Sequence, residues 1–273
     1  MDRTELAMLL AIADAEGLMA LSASHLARLA PRQAAAGGDP APRNVAVIPV
    51  TGVLVNRSIA GWFGTVPGQD ALRARIASAA ADAATGAIIL HVDSPGGTVA
   101  GSAETAAAVR AAAGIKPVVA VVDALAASAA YWIAAQASEI VVVPNGELGS
   151  IGVMAMHQDW SRFWDRMGVT PTVIASSQFK AERSPFAPLS DEARADIKAS
   201  VDEADAAFIA DVATGRRTTV DRVRAEFGQG RVVSAARAVQ LGMADAVATL
   251  PETIARLAGG APLRRRRSAL SFV

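Results

Sequence analysis

Cysteine is absent from this 273-residue chain, which excludes disulfides, thiolate metal sites and a cysteine nucleophile. Histidine is almost absent. His25, His91 and His157 stand apart, none in a paired metal-ligand spacing, so no metal is expected. Aromatics make up 4% against 52% hydrophobic residues, so the core has to be built from Ala, Val, Ile and Leu. Neither sign of charge dominates: 26 basic and 26 acidic side chains cancel, which argues against a global electrostatic grip on nucleic acid. Lysine is scarce among the basic residues, at positions 116, 180 and 198 alone. No window reaches the ~18 uncharged apolar residues of a spanning helix. Asp2, Glu5, Asp14 and Glu16 flank or interrupt the apolar run at 6–13, unlike a signal peptide. The expectation is a soluble, cytoplasmic protein without a membrane anchor.

What is present is a regular alternation. Residues 4–30 carry apolar positions at helical spacing, broken at Gly17 and Ser22, and fit two short amphipathic helices. Prolines and the Gly37-Gly38 pair mark a linker, so 1–38 is read as a helical segment and linker. From Val45 strands and helices alternate, and 39–250 reads as one α/β domain with mainly parallel strands. Strands are expected at 45–50, 87–93, 118–122, 139–143, 149–153, 172–175 and 231–233. Helices are expected at 69–83, 98–113, after Ser128, and at 160–168, 190–215, 219–227 and 235–242. The remainder, 251–273, reads as a helix and a disordered basic tail around Arg264-Arg-Arg-Arg267. Trp62 and Phe63 sit in a glycine-rich loop suited to a substrate groove or a subunit contact.

Two stretches can carry chemistry. In Asp123-Ala-Leu-Ala-Ala-Ser128 an apolar strand leads into a helix of small residues, with Ser128 at its start. There a hydroxyl can cap the helix, or act as a nucleophile beside unpaired backbone N–H groups. Ser94-Pro-Gly-Gly97 lies between a strand and a helix, where glycines let backbone N–H groups approach an oxyanion or a phosphate. No Walker pattern or Gly-x-Gly-x-x-Gly follows a strand, which disfavours nucleotides.

A serine nucleophile needs a base. His91 and His157 read as structural histidines, though chain order alone leaves a Ser-His-Asp triad open. Arginine cannot accept the proton. Lysine can, if burial brings its pKa from ~10.4 toward neutrality, which asks ~4 kcal/mol of the site. Lys116 and Lys198 look solvated, whereas Lys180 has apolar cover available from Phe179 and Pro185-Phe186.

Five segments in register resemble the signal peptide peptidase A (protease IV) family of serine–lysine peptidases. They are Asp93-Ser-Pro-Gly-Gly97, Ala126-Ala-Ser-Ala-Ala-Tyr131, Gly149-Ser-Ile-Gly-Val153, Gln178-Phe-Lys-Ala-Glu-Arg-Ser-Pro185, and Gly230-Arg-Val-Val-Ser234 with Ala238-Val-Gln-Leu-Gly242. The resemblance spans about 165 residues. It implies the Clp-protease/crotonase fold of repeated β-β-α units. It implies Ser128 as nucleophile, Lys180 as general base, the N–H groups of Gly97 and Ala129 as oxyanion hole, and Ser150 as the hydroxyl that positions Lys180. It implies no cofactor, a protein or peptide substrate, and a homo-oligomer. Ala129-Ala130 follows the serine where many members have Gly-Gly, which alters the fit of the adjacent cleft. Cellular members usually carry a membrane anchor; in lacking one this chain is similar to soluble head-maturation proteases of tailed phages, which act on scaffold, portal or capsid proteins. Three rivals remain: a general soluble peptidase, a crotonase-like acyl-thioester enzyme, and a catalytically silent assembly protein.

Overall fold

The structure is a computed structural model that describes residues 19–21, 44–61 and 64–263. Trp62 and Phe63, the linker with Gly37-Gly38, the tail from Arg264 and nearly all of the N-terminal segment lie outside the described residues. Two compact units emerge: one holds the chain up to Gly152 and again from Phe208, the other is Val153–Ala207.

In the first unit, β1 (Met19–Leu21) falls between the breaks at Gly17 and Ser22 and is a strand rather than helix. It pairs antiparallel with β2 (Asn44–Leu54). A hairpin of β3 (Ile59–Gly61) and β4 (Gly64–Val66) precedes helix α1 (Gln69–Ala81). Then follow β5 (Thr85–Gly97), α2 (Ser102–Ile115), β6 (Val118–Ala127), α3 (Ala129–Ala134), β7 (Glu139–Val142) and β8 (Glu147–Gly149). The second unit contains α4 (Ser161–Arg166), and α5 (Asp191–Arg216) runs from it into the first. The chain continues through α6 (Val220–Glu226), β9 (Val232–Ser234), α7 (Ala235–Leu241), β10 (Ala246–Val247) and α8 (Leu250–Ala258).

Among the described residues the main sheet runs β1-β2-β5-β6-β7-β10, and every pair from β2 to β10 is parallel. Its central strands are continuous apolar runs because both faces of a parallel sheet are covered. Val45, Val47, Ala87, Ile89, Val119, Val121 and Val141 pack against Leu250, Ile254 and Leu257 of α8. That helix starts on a reciprocal cap: Thr249 N–H donates to Glu252 at 2.8 Å and Thr249 Oγ1 accepts from Glu252 N–H at 3.4 Å. The helices α1 and α3 pack against β2 and β5. The mainly parallel α/β architecture is the one expected from the alternating pattern.

Two buried ion pairs brace the far end of the sheet. Arg216 grips Asp245 with two bonds of 2.8 and 3.0 Å and donates a third to the Gly242 carbonyl, while Asp245 also accepts the Ile140 N–H at 2.7 Å. Burial works against the Arg216 charge, yet the bonds to Asp245 outweigh it and raise its pKa. Arg256 donates to Glu139 at 2.7 Å.

The second unit has no strand among its described residues. The expected strand at 172–175 is irregular and exposed, and β8 ends at Gly149 rather than reaching Val153. Val173 and Ile174 carry strand propensity, but strand formation needs a paired neighbour and a face to bury. Order comes instead from aromatic contacts: Trp160 on Phe163, Phe163 on Trp164, and Trp164 on Phe186 with ring centroids 6.3 Å apart. No helix among the described residues is long and apolar enough to cross a membrane.

Candidate active site

Four of the five residues singled out in the sequence meet at one corner of the first unit, where β5, β6 and β8 end. Ligand sites of open parallel sheets gather at such carboxyl ends. The strand β6 passes directly into α3, and the single residue between them is Ser128, at φ +52 and ψ −126. A non-glycine residue with positive φ is strained, and such strain clusters at functional sites. Of the two sequence readings, the structure places Ser128 at the cap position but gives its hydroxyl no capping bond. The side chain is half-buried. Its own backbone is fixed on both sides, with Ser128 N–H donating to the Gly149 carbonyl at 2.9 Å and Trp132 N–H donating to the Ser128 carbonyl at 3.0 Å. Ala129 is buried at the first position of α3, where a helix N–H has no carbonyl of its own helix to bond.

The helix behind Ser128 is held from its rear. Tyr131 is fully buried and donates to the Met243 carbonyl at 3.0 Å, and burial pushes its phenol pKa up. Trp132 donates from Nε1 to Asp211 at 2.8 Å and stacks on Phe208 at 4.6 Å. Asp211 is also paired with Arg110 at 2.9 Å. The close crossing of α5 needs Gly215, because a Cβ there would run into the Ala135 carbonyl.

The glycine turn comes up against this corner. A Cβ on Gly96, at φ +96, would lie 2.7 Å from the Ala127 carbonyl oxygen, 2.8 Å from Ser128 Cβ and 2.9 Å from Ala129 N. Gly97 is pressed against the Leu54 carbonyl in the same way. The sequence puts the strand's end before Ser94, whereas β5 continues to Gly97 and stays paired with β2. Ser150 follows Gly149, which pairs with Ala127; it too has φ +52, and its N–H donates to the Arg231 carbonyl at 2.9 Å. Gly97, Ser128, Ala129 and Ser150 are thus neighbours through three adjacent strand ends.

Lys180 belongs to the second unit, in the turn at 178–183, where its N–H donates to the Ser177 carbonyl at 3.3 Å. The apolar cover expected for it does not form: Lys180 is exposed, Phe179 is 51% exposed, and Phe186 turns to Trp164. The other lysines have employment. Lys116, expected to be solvated, donates to the carbonyls of Ala79, Asp82 and Thr85 at 2.6–3.2 Å and so closes the end of α1. Lys198 is exposed on α5 and pairs with Asp202 at 2.6 Å. His91 bonds Asp123 at 2.9 Å across β5 and β6. His157 belongs to the second unit and lies in irregular chain.

Sequence reasoning read Ser94-Pro-Gly-Gly97 for its glycine backbone and gave the Ser94 side chain no task. The readable signal was strand alternation, which puts residue 94 on the inward side with Val92.

Against known proteins, residues 110–264 match the model of Peptidase family S49. Over 244 residues the chain is 30% identical to capsid assembly protease C of Escherichia phage lambda, covering 86% of this chain and 55% of that one. Over 216 residues it is 32% identical to the head-tail preconnector protein GP5 of Enterobacteria phage P21, covering 78% of this chain and 42% of the relative. The chain thus spans about half the length of these relatives. Among solved structures, a point mutant of the 1510-N membrane-bound stomatin-specific protease superposes with a TM-score of 0.53 at 17% identity, covering 78% of this chain and 84% of that one. The motifs, the fold and the matched span agree, and the chain belongs to peptidase family S49.

Proposed function

We propose that this chain is a serine endopeptidase in which Ser128 is the nucleophile and Lys180 the general base. The observation that carries the reading is the Ser128 corner: a strained residue at a strand-to-helix junction, with a hydroxyl not spent on capping, beside the N-terminal N–H of α3. Ser128 Oγ attacks the scissile carbonyl carbon and gives its proton to Lys180 Nζ. Electrons of the C=O bond move to oxygen, which the N–H groups of Gly97 and Ala129 receive. The placement of Gly97 supports this. Thr98 N–H donates to the Leu54 carbonyl on the β2 side, and a Cβ on Gly96, the residue before Gly97, would meet Ser128 Cβ and Ala129 N, so the turn lies against the Ser128 corner. Collapse breaks the C–N bond and the amine takes the proton from Lys180. Water then repeats the cycle on the acyl-serine. Ser150 holds the Lys180 amine in this scheme. A neutral amine is required in this scheme, so Lys180 must shed water when substrate binds.

The substrates we assign are proteins of phage head assembly, on the strength of the lambda and P21 relatives. The working compartment is then the host cytoplasm or the assembling prohead. We read the chain as a homo-oligomer, because exposed apolar side chains such as Met154, Met156 and Ile174 suit a protein contact. Ser128→Ala tests the core of the proposal. A folded Ser128→Ala chain should lose cleavage of peptide and scaffold substrates by at least about 10³-fold. Cleavage at the rate of the unaltered chain would sink the assignment.

A further inference from the structure

The glycine-turn motif contains one side chain to which the Ser128–Lys180 reading gives no task. Ser94 is 0% exposed, unusual for a serine. Its hydroxyl donates to the Gly52 carbonyl at 2.6 Å and accepts the Gly96 N–H at 3.1 Å. Both partners sit at irregular points of the sheet. Gly52 has φ +68 and lies where the β2–β5 register shifts between Thr51 and Val53. The β5–β6 register shifts between Val92 and Ser94 itself.

These shifts have a consequence for the turn. A glycine at φ +96 has no side chain to restrict it, so its direction depends on what its backbone bonds. At Gly96 that bond runs to Ser94 Oγ. The same peptide leads into Gly97 and lies against Ser128 and Ala129. A buried hydroxyl with one donor and one acceptor bond is satisfied; without it, the Gly96 N–H and the Gly52 carbonyl each lose a partner.

We propose that Ser94 is a positioning residue: it fixes the Gly96–Gly97 peptide so that the Gly97 N–H stays aimed at the developing oxyanion. The inference rests on the serine-peptidase reading above. Ser94 touches neither substrate nor Ser128; it acts through the turn. Oxyanion donors matter when charge builds on the carbonyl oxygen, so the loss falls on kcat and spares the binding of uncleaved substrate.

The test uses the full chain and an internally quenched peptide that the unaltered protein cleaves. Ser94→Ala should lower kcat roughly 10- to 100-fold with KM within about twofold. Affinity for a peptide aldehyde of the same sequence, to whose carbonyl carbon the Ser128 oxygen adds, should fall by a similar factor. Affinity for the intact peptide, measured on Ser128→Ala with and without the second change, should hold. Ser94→Cys keeps a bonding group in the space, bulkier and a weaker donor and acceptor, and should show the same split at smaller size even where the alanine variant folds poorly. Unchanged kcat in either folded variant, or a loss confined to KM, overturns the role of Ser94 and leaves the dyad reading standing. Cleavage by Ser128→Ala overturns the reading beneath both.

Discussion

The corner that holds Ser128 and the segment that holds Lys180 are built in opposite ways. Around Ser128 the backbone is over-determined: three strand ends, a helix pinned by Tyr131 and Trp132, and glycines where no Cβ fits. Around Lys180 there is a turn held by local bonds, with exposed Met154, Met156, Ile174 and Phe179 nearby in sequence and no strand among the described residues. A nucleophile and an oxyanion hole need fixed geometry before substrate arrives, because their value lies in dipoles that do not reorganise. A lysine base needs a different thing, the loss of water around its amine. That can be supplied when substrate or a neighbouring chain covers it. Under the proposed function, the closely bonded side is the one that has to be ready in advance.

The largest test of that contrast exchanges glycines. Gly96→Ala forces a Cβ to within 2.9 Å of three backbone or Cβ atoms at a positive φ. It should cost about 3 kcal/mol or more of stability and abolish cleavage. Gly152 marks the end of the first unit, and a Cβ there meets nothing within 4 Å. Its φ of +155 still strains an alanine, so Gly152→Ala should cost about 1–2 kcal/mol and no more. Denaturant midpoints of the two variants measure the difference, and equal losses would mean that the turn is not close-packed.

Ion pairs give a second comparison, in stability alone. Arg216 and Asp245 have side chains 6% and 7% exposed. Arg216→Met leaves a buried carboxylate and should destabilise by about 3–5 kcal/mol. In the second unit Arg183 pairs with Asp196, with both side chains more than half exposed. Arg183→Met should cost less than about 1 kcal/mol, and that remainder should shrink further in salt. Equal midpoints for both variants would contradict the burial difference between the units.

The same contrast explains which parts were legible in the sequence. Val118–Val122 and the apolar part of β5 announce themselves because a strand buried on both faces is apolar at every position. The long helix α5 was legible from its acidic first turn and its periodicity. Val173 and Ile174 misled, since β-branched residues favour a strand only where a neighbour exists to pair with. At the site, the scarcity of lysine and the motif register pointed to Ser128 and Lys180. Tertiary facts were out of reach: that Lys116 closes α1, that Phe186 packs against Trp164, and that Ser94 bonds a carbonyl 42 residues earlier. Each depends on which elements come together, and no local pattern encodes that.

The smallest expected effect is the most informative about the second unit. Ile174 is 93% exposed, whereas Ile89 in β5 is fully buried among Val47, Val121 and Leu257. Ile89→Ala should cost about 2–5 kcal/mol, since it removes buried methyls and leaves a cavity. Ile174→Ser removes nothing from the interior of a single chain, and should change stability by less than about 0.5 kcal/mol. Thermal unfolding at two protein concentrations a hundredfold apart separates the outcomes. A small, concentration-independent change means that Ile174 stays in water in the working protein. A loss that grows with concentration means that another copy covers it, as the homo-oligomer reading requires of at least part of this apolar surface. In that case the exposed segment is not idle surface, and under the proposed function assembly joins substrate as a means by which Lys180 can lose water.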